Sequence, residues 1–447
     1  MIKIYDTMTR SLRDFVPLTE NVVNMYVCGP TVYNYIHIGN ARSAVAFDTI
    51  RRYFEYCGYT VNYISNFTDV DDKIIKAANE AGISTKELSD KFIAAFMEDT
   101  GQLGIKPATQ NPRVINYMDE IIAFVSTLVD KGFAYVSEGD VYFRVAKSNN
   151  YAKLANKTLE DLEIGASGRT DAETERKENP LDFALWKAAK EGEVSWDSPW
   201  GPGRPGWHIE CSVMATEILG DTIDIHGGGA DLEFPHHTNE IAQSEAKTGK
   251  TFANYWMHNG FVNVDNEKMS KSLGNFVTVH DMLQTVDGQV LRFFLATQQY
   301  RKPINFTEKA IHDAEVNLKY LKNTHSLPLT EQVNQAELQT YLDAFQEAMD
   351  DDFNTANGVT VLFDMAKWIN SGNYDQTVKD AFEKMIQVFG IVFEEEVLDE
   401  DIEKLIEERQ AARANKDFAT ADRIRDELAA QGIKLLDTKE GVRWTRD

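Results

Sequence analysis

Four side chains of this 447-residue sequence could together hold a thiophilic metal ion. Cys28 ends an apolar run that starts at Val22 and is broken by Gly29-Pro30. Such a run reads as a strand, and open α/β sheets bind ligands at the carboxyl ends of their strands. Cys211 follows Trp207-His208-Ile209-Glu210, while His236 and Glu240 are spaced i, i+4 and share one face if helical. Two thiolates, one imidazole and one carboxylate suit a tetrahedral zinc site. Each residue taken singly has a plainer reading. A lone buried cysteine is usually a small core residue, and Cys57, inside an apolar stripe, keeps that reading. His208 and His237 compete as ligands, His237 being i, i+3 from Glu240. Spacing leaves that choice open.

Two other stretches could handle phosphate. Gly29 to Asn40 joins a strand to a helix, and the free N–H groups of a helix start attract anions. His37 and Asn40 add side-chain donors there, and Gly39 lets a flat ligand approach the backbone. Lys268-Met269-Ser270-Lys271-Ser272, before Leu273-Gly274-Asn275, forms a cationic loop suited to charge developing on transferring phosphates. Alone, the first would pass for an ordinary loop and the second for a solvated turn.

The elements that must position these residues are legible from periodicity. A helix runs from about Ala41, with Ala46, Ile50, Tyr53, Phe54 and Cys57 on one face and Gly58 as its stop. Tyr59 to Phe67 alternates as a strand, so the start of the chain reads as a parallel strand–helix–strand crossover. Helices follow from about 72 to 132. Asp140 to Val145 is strand-like, Ile164 to Glu178 is a polar exposed loop, and Pro199 to Gly206 is dense in breakers. Thr222 to Ile225 reads as a strand with Gly227-Gly228-Gly229 after it. Beyond 305 the sequence is helical: Ile311, Ala314, Leu318 and Leu321 share a face, one stretch runs from about Gln335 to Trp368, and another from Val378 to Gly390. A last helix, about Asp401 to Leu428, precedes a short β-like tail.

Hydrophobic residues make up 43% and charged residues 26%, which excludes a disordered or low-complexity chain. No apolar run approaches the ~18 residues of a membrane helix, and the first residues carry no signal-peptide pattern. Three cysteines exclude a disulfide scaffold and fit a reducing, cytoplasmic setting. The net charge of −25 argues against nucleic acid in bulk. From Arg409 onward, however, nine basic residues meet seven acidic ones. The acid lies upstream, some of it in Glu394 to Glu396 and Asp399 to Asp401. Arg409, Arg413 and Lys416 form one helical stripe, and Trp444 sits between Arg443 and Arg446, a pairing suited to backbone contact and base stacking.

In combination the motifs lose their ambiguity. His37-Ile38-Gly39-Asn40 resembles the HIGH signature of class I aminoacyl-tRNA synthetases, and Lys268 to Ser272 is an unbroken KMSKS signature about 230 residues later. Tyr26 to Tyr33, Gly206 to Ser212, Asp224 to Leu232 and Phe234 to His237 narrow the resemblance to the cysteinyl-tRNA synthetases. One departure is visible, since Asn40 replaces the last His of the HIGH signature.

The resemblance implies an α/β fold: a Rossmann-type parallel-sheet catalytic core with an insertion, followed by an α-helical C-terminal half. It divides the catalytic domain into 1–132 and 206–262, around a connective insertion at 133–205. A KMSKS-loop and stem-contact region follows at 263–310, a helical bundle at 311–400 and an anticodon-binding region at 401–447. It implies that cysteine and ATP give cysteinyl-adenylate, and that the cysteinyl group passes to the 3′ end of tRNA(Cys). One zinc ion would be held by Cys28, Cys211, His236 and Glu240, motif position choosing His236 over His237. His37 and Asn40 would hold ATP phosphates, Lys268 and Lys271 would stabilise the transition state, and Gly228 and Gly229 would admit the nucleotide, with Mg2+ accompanying ATP. Gly29, Thr68, Trp207 and Asp231 are candidates for the bound cysteine, and Arg409, Arg413, Lys416 and Trp444 for tRNA. A ~70-residue insertion is too short for a full editing domain, which suits selection by metal: thiolate is a far better zinc ligand than alcohol. The family leads us to expect a monomer. The rival reading is a ligase joining cysteine to a non-tRNA amine, which would share the first 310 residues.

Overall fold

The computed structural model describes residues 1–166, 174–393, 400–438 and 441–446. The chain forms two compact units, Met1–Val392 and Phe393–Asp447. The acidic residues Glu394 to Glu396 and Asp399, and residues 167–173 of the expected loop at 164–178, lie outside the described residues.

The centre of the first unit is a four-stranded parallel sheet. It comprises β1 (Val22–Val27), β2 (Thr60–Ser65), β3 (Ile223–Gly229) and β4 (Ala253–Asn259), in the order β4-β3-β1-β2. The chain passes from β1 through helix α1 (Ile38–Tyr56) to β2. It passes from helix α2 (Trp207–Leu219) into β3, and then through α3 (Thr238–Thr248) to β4. Order therefore reverses between β1 and β3, where Met25 pairs with Ile225 and Val27 with Gly227. A crevice opens at the carboxyl ends of strands at such a point, and Cys28 and Gly229 stand on its two sides.

Helix α1 starts three residues before the periodicity suggests. The ring of His37 accepts a hydrogen bond from the Asn40 amide, and the Asn40 side chain accepts one from the His37 amide. This reciprocal cap supplies the start that the apolar pattern does not register. Ala46, Ile50, Tyr53 and Phe54 are buried as the stripe requires. Cys57 is not: it is the exposed C-cap residue, one position past the last helical turn, so its core reading fails. The glycines after Ile225 lie inside β3 instead of following it. A side chain at Gly227 would meet the Phe47 ring at 2.4 Å, so this glycine lets α1 pack on the strand.

The expected insertion contains a four-stranded antiparallel sheet, Ala134–Ser137, Asp140–Phe143, Phe183–Ala188 and Gly203–Pro205. Its last strand falls within the breaker-rich stretch, because Trp186 and Lys187 pair across to Pro205 and Arg204. A helix, Leu159–Ala166, takes the first residues of the expected loop.

The helices Glu308–His325, Gln335–Asp350, Thr355–Asn370 and Gln376–Val388 belong to the same unit as the parallel sheet. The single helix expected over 335–368 breaks at Asp352 and Phe353, both at positive φ. Tertiary contacts override propensity here. The buried Asp352 carboxylate accepts from the Tyr5 amide at 2.9 Å, the Tyr300 hydroxyl at 2.6 Å and Arg301 at 2.7 Å.

A second buried charge ties these helices together. Arg292, on the helix Gly288–Ala296, is fully buried, pairs with Asp48 of α1 at 2.7 Å and donates to the Phe389 carbonyl at 2.8 Å. Burial alone would raise the Asp48 carboxyl; Arg292 and Arg52 override that and hold it below its ordinary value. Removing one partner of a buried pair costs about 3–5 kcal/mol. Asp48 would keep Arg52 at 2.8 Å. Arg292→Leu is therefore expected at the lower end, a loss of about 3 kcal/mol in equilibrium urea unfolding.

In the second unit the expected helix over 401–428 is two, Glu400–Ala414 and Phe418–Ala430, followed by the hairpin Ile433–Thr438 and Gly441–Arg446. Lys416 turns the chain at φ +61°, and Asp417 caps the second helix. Ile402, Ile424, Leu428 and Ile433 form the core, with Trp444 packed against it.

Candidate active site

The residues of the first three motifs converge on the crevice between β1 and β3. Cys28 directly follows β1, Cys211 lies on α2, and His236 and Glu240 arrive through the turn into α3. The Cys28 sulfur is 3.5 Å from the Cys211 sulfur, 3.5 Å from His236 Nε2 and 3.6 Å from Glu240 Oε2. His236 Nε2 and Glu240 Oε2 are 3.2 Å apart. Ligands about 2.0–2.3 Å from a tetrahedral zinc ion stand roughly 3.3–3.8 Å from one another. The four donors thus fit such an ion closely.

A second set, Cys28, His226, His237 and Glu240, is also compact. The hydrogen bonds favour the first. His226 Nε2 contacts Glu240 Oε1 at 2.9 Å while its Nδ1 has no partner, so Nε2 carries the proton and orients the carboxylate. His208 Nδ1 lies 3.0 Å from His236 Nδ1 and His258 Nε2 lies 2.7 Å from His237 Nδ1, leaving both Nε2 atoms towards Cys28, at 3.5 and 3.4 Å, so the engagement of His226 is what separates the two sets. Carboxylate–imidazole and imidazole–imidazole partners of this kind orient metal ligands from behind. Burial, with Cys211 and Glu240 close by, pushes the Cys28 thiol well above its ordinary value. A divalent cation held by these groups would offset that cost.

Beside the cluster, reaching it at Cys28, opens a cavity of about 660 Å3. Cys28, Gly29, Trp207, Gly229 and Asp231 line it together with His37, Asn40, Lys268 and Lys271. Trp207 is 40% exposed and stacks on His236, with centroids 4.1 Å apart, so it is not a core aromatic. Burial pushes the Asp231 carboxyl up against the pull of Lys268. The Gly29 amide bonds Asn66 Oδ1 at 3.0 Å. A Cβ at Gly29 would lie 1.6 Å from the Asn66 carbonyl oxygen. Gly29→Ala must therefore move the wall of the cavity. The expected outcome is a destabilisation of about 1–3 kcal/mol by urea unfolding, the ordinary range for overpacking. Thr68 and Gly228 are set back from the cavity. Thr68 is buried and its backbone holds the turn 30–32, and a side chain on Gly228 would meet Leu232 and His237.

The phosphate loop and the lysine loop are joined through backbone. Ile38 donates to the Val277 carbonyl at 3.1 Å and Val279 to the Ile36 carbonyl at 2.9 Å. Phe276 meets the His37 ring edge-on at 5.2 Å. Asn275 braces the loop, accepting from the Ser270 amide and donating to the Lys268 carbonyl. Burial, then Lys271 and Lys73, lower His37 to about 4. The ring is neutral at pH 7; with Nδ1 accepting from Asn40, its single N–H is on Nε2.

Residues 14–316 match the tRNA synthetases class I (C) catalytic domain. Residues 344–394 match the DALR domain, and 395–444 the cysteinyl-tRNA ligase anticodon binding domain. A cysteine--tRNA ligase of Streptococcus thermophilus is 95% identical over the whole of both chains. Those of Streptococcus pyogenes and Streptococcus agalactiae are 84% and 82% identical, again over full length. The chain belongs to the cysteine--tRNA ligase family. Its fold is that of class I synthetases: the Mycobacterium tuberculosis methionyl-tRNA synthetase in complex with methionyl-adenylate aligns with a TM-score of 0.60 at 16% identity, covering 82% of this chain and 89% of that one.

Several features of this ligase-family site have no signal in the spacing of the sequence. His226 and His258 sit among apolar strand residues, Asn66 acts through a long-range turn, and Tyr33 and Lys73 fall outside both signatures. In the second unit, the stripe of Arg409, Arg413 and Lys416 does not form, because the helix ends at Ala414. Arg409 is buried and bonds Asp437 through two nitrogens at 2.9 and 3.0 Å, and Arg413 joins the same carboxylate at 2.8 Å. Lys416 is exposed in the turn, and Trp444 is partly covered by the core of that unit.

Proposed function

We propose that the protein activates L-cysteine with ATP and transfers it to the 3′ end of tRNA(Cys), with a zinc ion selecting the cysteine thiol. The observation that carries this reading is that Cys28, one thiol of the two-thiol, imidazole and carboxylate cluster, and the lysines of the cationic loop line one cavity. In the first step a carboxylate oxygen of cysteine bonds to the α-phosphorus of ATP. The bond to the bridging oxygen breaks, and pyrophosphate leaves with that electron pair. His37, through its Nε2–H, and Asn40, through its amide N–H groups, bind phosphate oxygens. Lys268 and Lys271 take up the negative charge that grows on the leaving group, where fixed cations act most strongly. Gly229 leaves the nucleotide room against backbone, and magnesium accompanies ATP.

Cys28, Cys211, His236 and Glu240 would hold zinc, which supplies a Lewis acid that favours a sulfur ligand over a hydroxyl. Trp207 walls the amino acid, Asp231 faces its ammonium group, and Gly29 keeps the pocket wall close. In the second step the terminal ribose 2′-hydroxyl attacks the acyl carbon, losing its proton, and AMP departs. The second unit supports binding of tRNA by its match to anticodon-binding domains. Of Arg409, Arg413 and Lys416, Lys416 is the exposed group that would meet phosphate, Arg409 acting as a strut. No described helix is long and apolar enough to cross a membrane. We place this activity in the cytoplasm and in a monomer, as the family resemblance implies.

Pyrophosphate exchange into ATP tests the activation step. Cysteine should drive it, and serine at the same concentration should not. Equal exchange with the two amino acids would contradict the thiol-selective reading.

A further inference from the structure

The cavity carries a third lysine that belongs to neither signature. Lys73 lies in the first turn of the helix Asp72–Ala81 and lines the cavity together with His37, Lys268 and Lys271. Its ammonium is 5.6 Å from the centroid of the Tyr33 ring, and that of Lys271 is 5.5 Å from the same centroid. One aromatic ring thus holds two cations at the mouth of the phosphate loop, by an attraction that strengthens where water is excluded.

The acids nearest Lys73 in sequence are engaged elsewhere. The Asp71 carboxylate accepts from the Lys73 amide and caps the helix. The Asp72 carboxylate bonds Arg204 and lies 3.8 Å from Lys187. Among the described residues no carboxylate pairs with the Lys73 side chain. Two ammonium groups gathered on one ring without a counter-ion repel each other, and an arrangement of this kind gains by binding a polyanion. The field of Lys73 also reaches the loop, since it contributes to lowering His37.

We propose that Lys73 is a third phosphate-binding cation of the active site, set beside Lys271 by the ring of Tyr33, and that it takes the pyrophosphate end of ATP. The inference rests on the ligase reading and adds a residue to it. It assigns Lys73 to the activation step and not to the tRNA.

The test uses the full chain and three variants, Lys73→Gln, Lys73→Arg and Tyr33→Leu. Lys73→Gln should lower cysteine-dependent pyrophosphate exchange roughly 10- to 100-fold, as the loss of one charge-assisted contact implies, and raise the KM for pyrophosphate. Lys73→Arg should restore most of the rate. Tyr33→Leu should fall between them. Single-turnover transfer of cysteine from preformed cysteinyl-adenylate to tRNA should be unchanged by Lys73→Gln. Lys73 is exposed, so the thermal midpoint should also stay at the wild-type value. Calorimetric binding of pyrophosphate alone reads the site without ligation: Lys73→Gln should weaken it, and equal binding would overturn the proposal. Exchange within about twofold of wild type would overturn it too. So would a loss confined to transfer or to the KM for tRNA, which would make Lys73 a tRNA contact. Failure of the wild-type protein to exchange with cysteine would instead count against the ligase reading.

Discussion

Cys211→Ser is expected to leave the purified protein with less than about a tenth of a zinc equivalent per chain, and to lower cysteine-dependent pyrophosphate exchange by more than 100-fold. The scale follows from the 10- to 100-fold cost of losing even an indirect partner of a metal ligand. Cys211 is 1% exposed and 3.5 Å from Cys28, so serine would place a poorer ligand in a site with no room for a replacement. Metal content by mass spectrometry, read beside exchange rates, checks this. Cys57→Ser is the control: Cys57 is exposed at the end of α1 and should lose neither zinc nor rate. Full zinc in Cys211→Ser would shift the site to the set Cys28, His226, His237 and Glu240.

Lys271→Ala should cost about 100- to 1000-fold in the rate of adenylate formation, the range for removing one group that stabilises transition-state charge. The effect is expected in the rate constant and not in the binding of cysteine, because Lys271 lies beside Tyr33 and Phe276, in the part of the cavity proposed to take phosphate. Rapid-quench measurement of the first turnover separates the two. Unchanged first-turnover kinetics would remove the loop from the chemistry and leave it a surface turn.

What the sequence disclosed, it disclosed through local pattern and long motifs. The apolar run to Cys28 and the glycine-bounded helix after it led to β1, α1 and their parallel partner. The spacing of His236 and Glu240 placed them on one face, with 3.2 Å between their ligand atoms. Pattern alone could not see contacts made from far away. Asp352 breaks a helix because Tyr5, Tyr300 and Arg301 bind it there. Cys57 fits the stripe of α1 by count, yet the helix ends one residue before it reaches the core. The types of His37 and Asn40 suggest phosphate donors, while their mutual cap depends on the backbone fold. Arg409 has the spacing of a nucleic-acid contact, but Asp437, brought in by the hairpin, takes both of its outer nitrogens. Lys73 was hidden by the neighbouring aspartates, which make the segment look like an acidic helix start.

The most direct test of the whole account is the ATP-dependent attachment of labelled cysteine to total tRNA, with labelled serine run in parallel. The account predicts acid-stable charging by cysteine, none by serine, and loss of charging in Cys211→Ser. Cysteine-dependent pyrophosphate exchange without any charging of tRNA would contradict it, and would point to a ligase that passes cysteine to another amine.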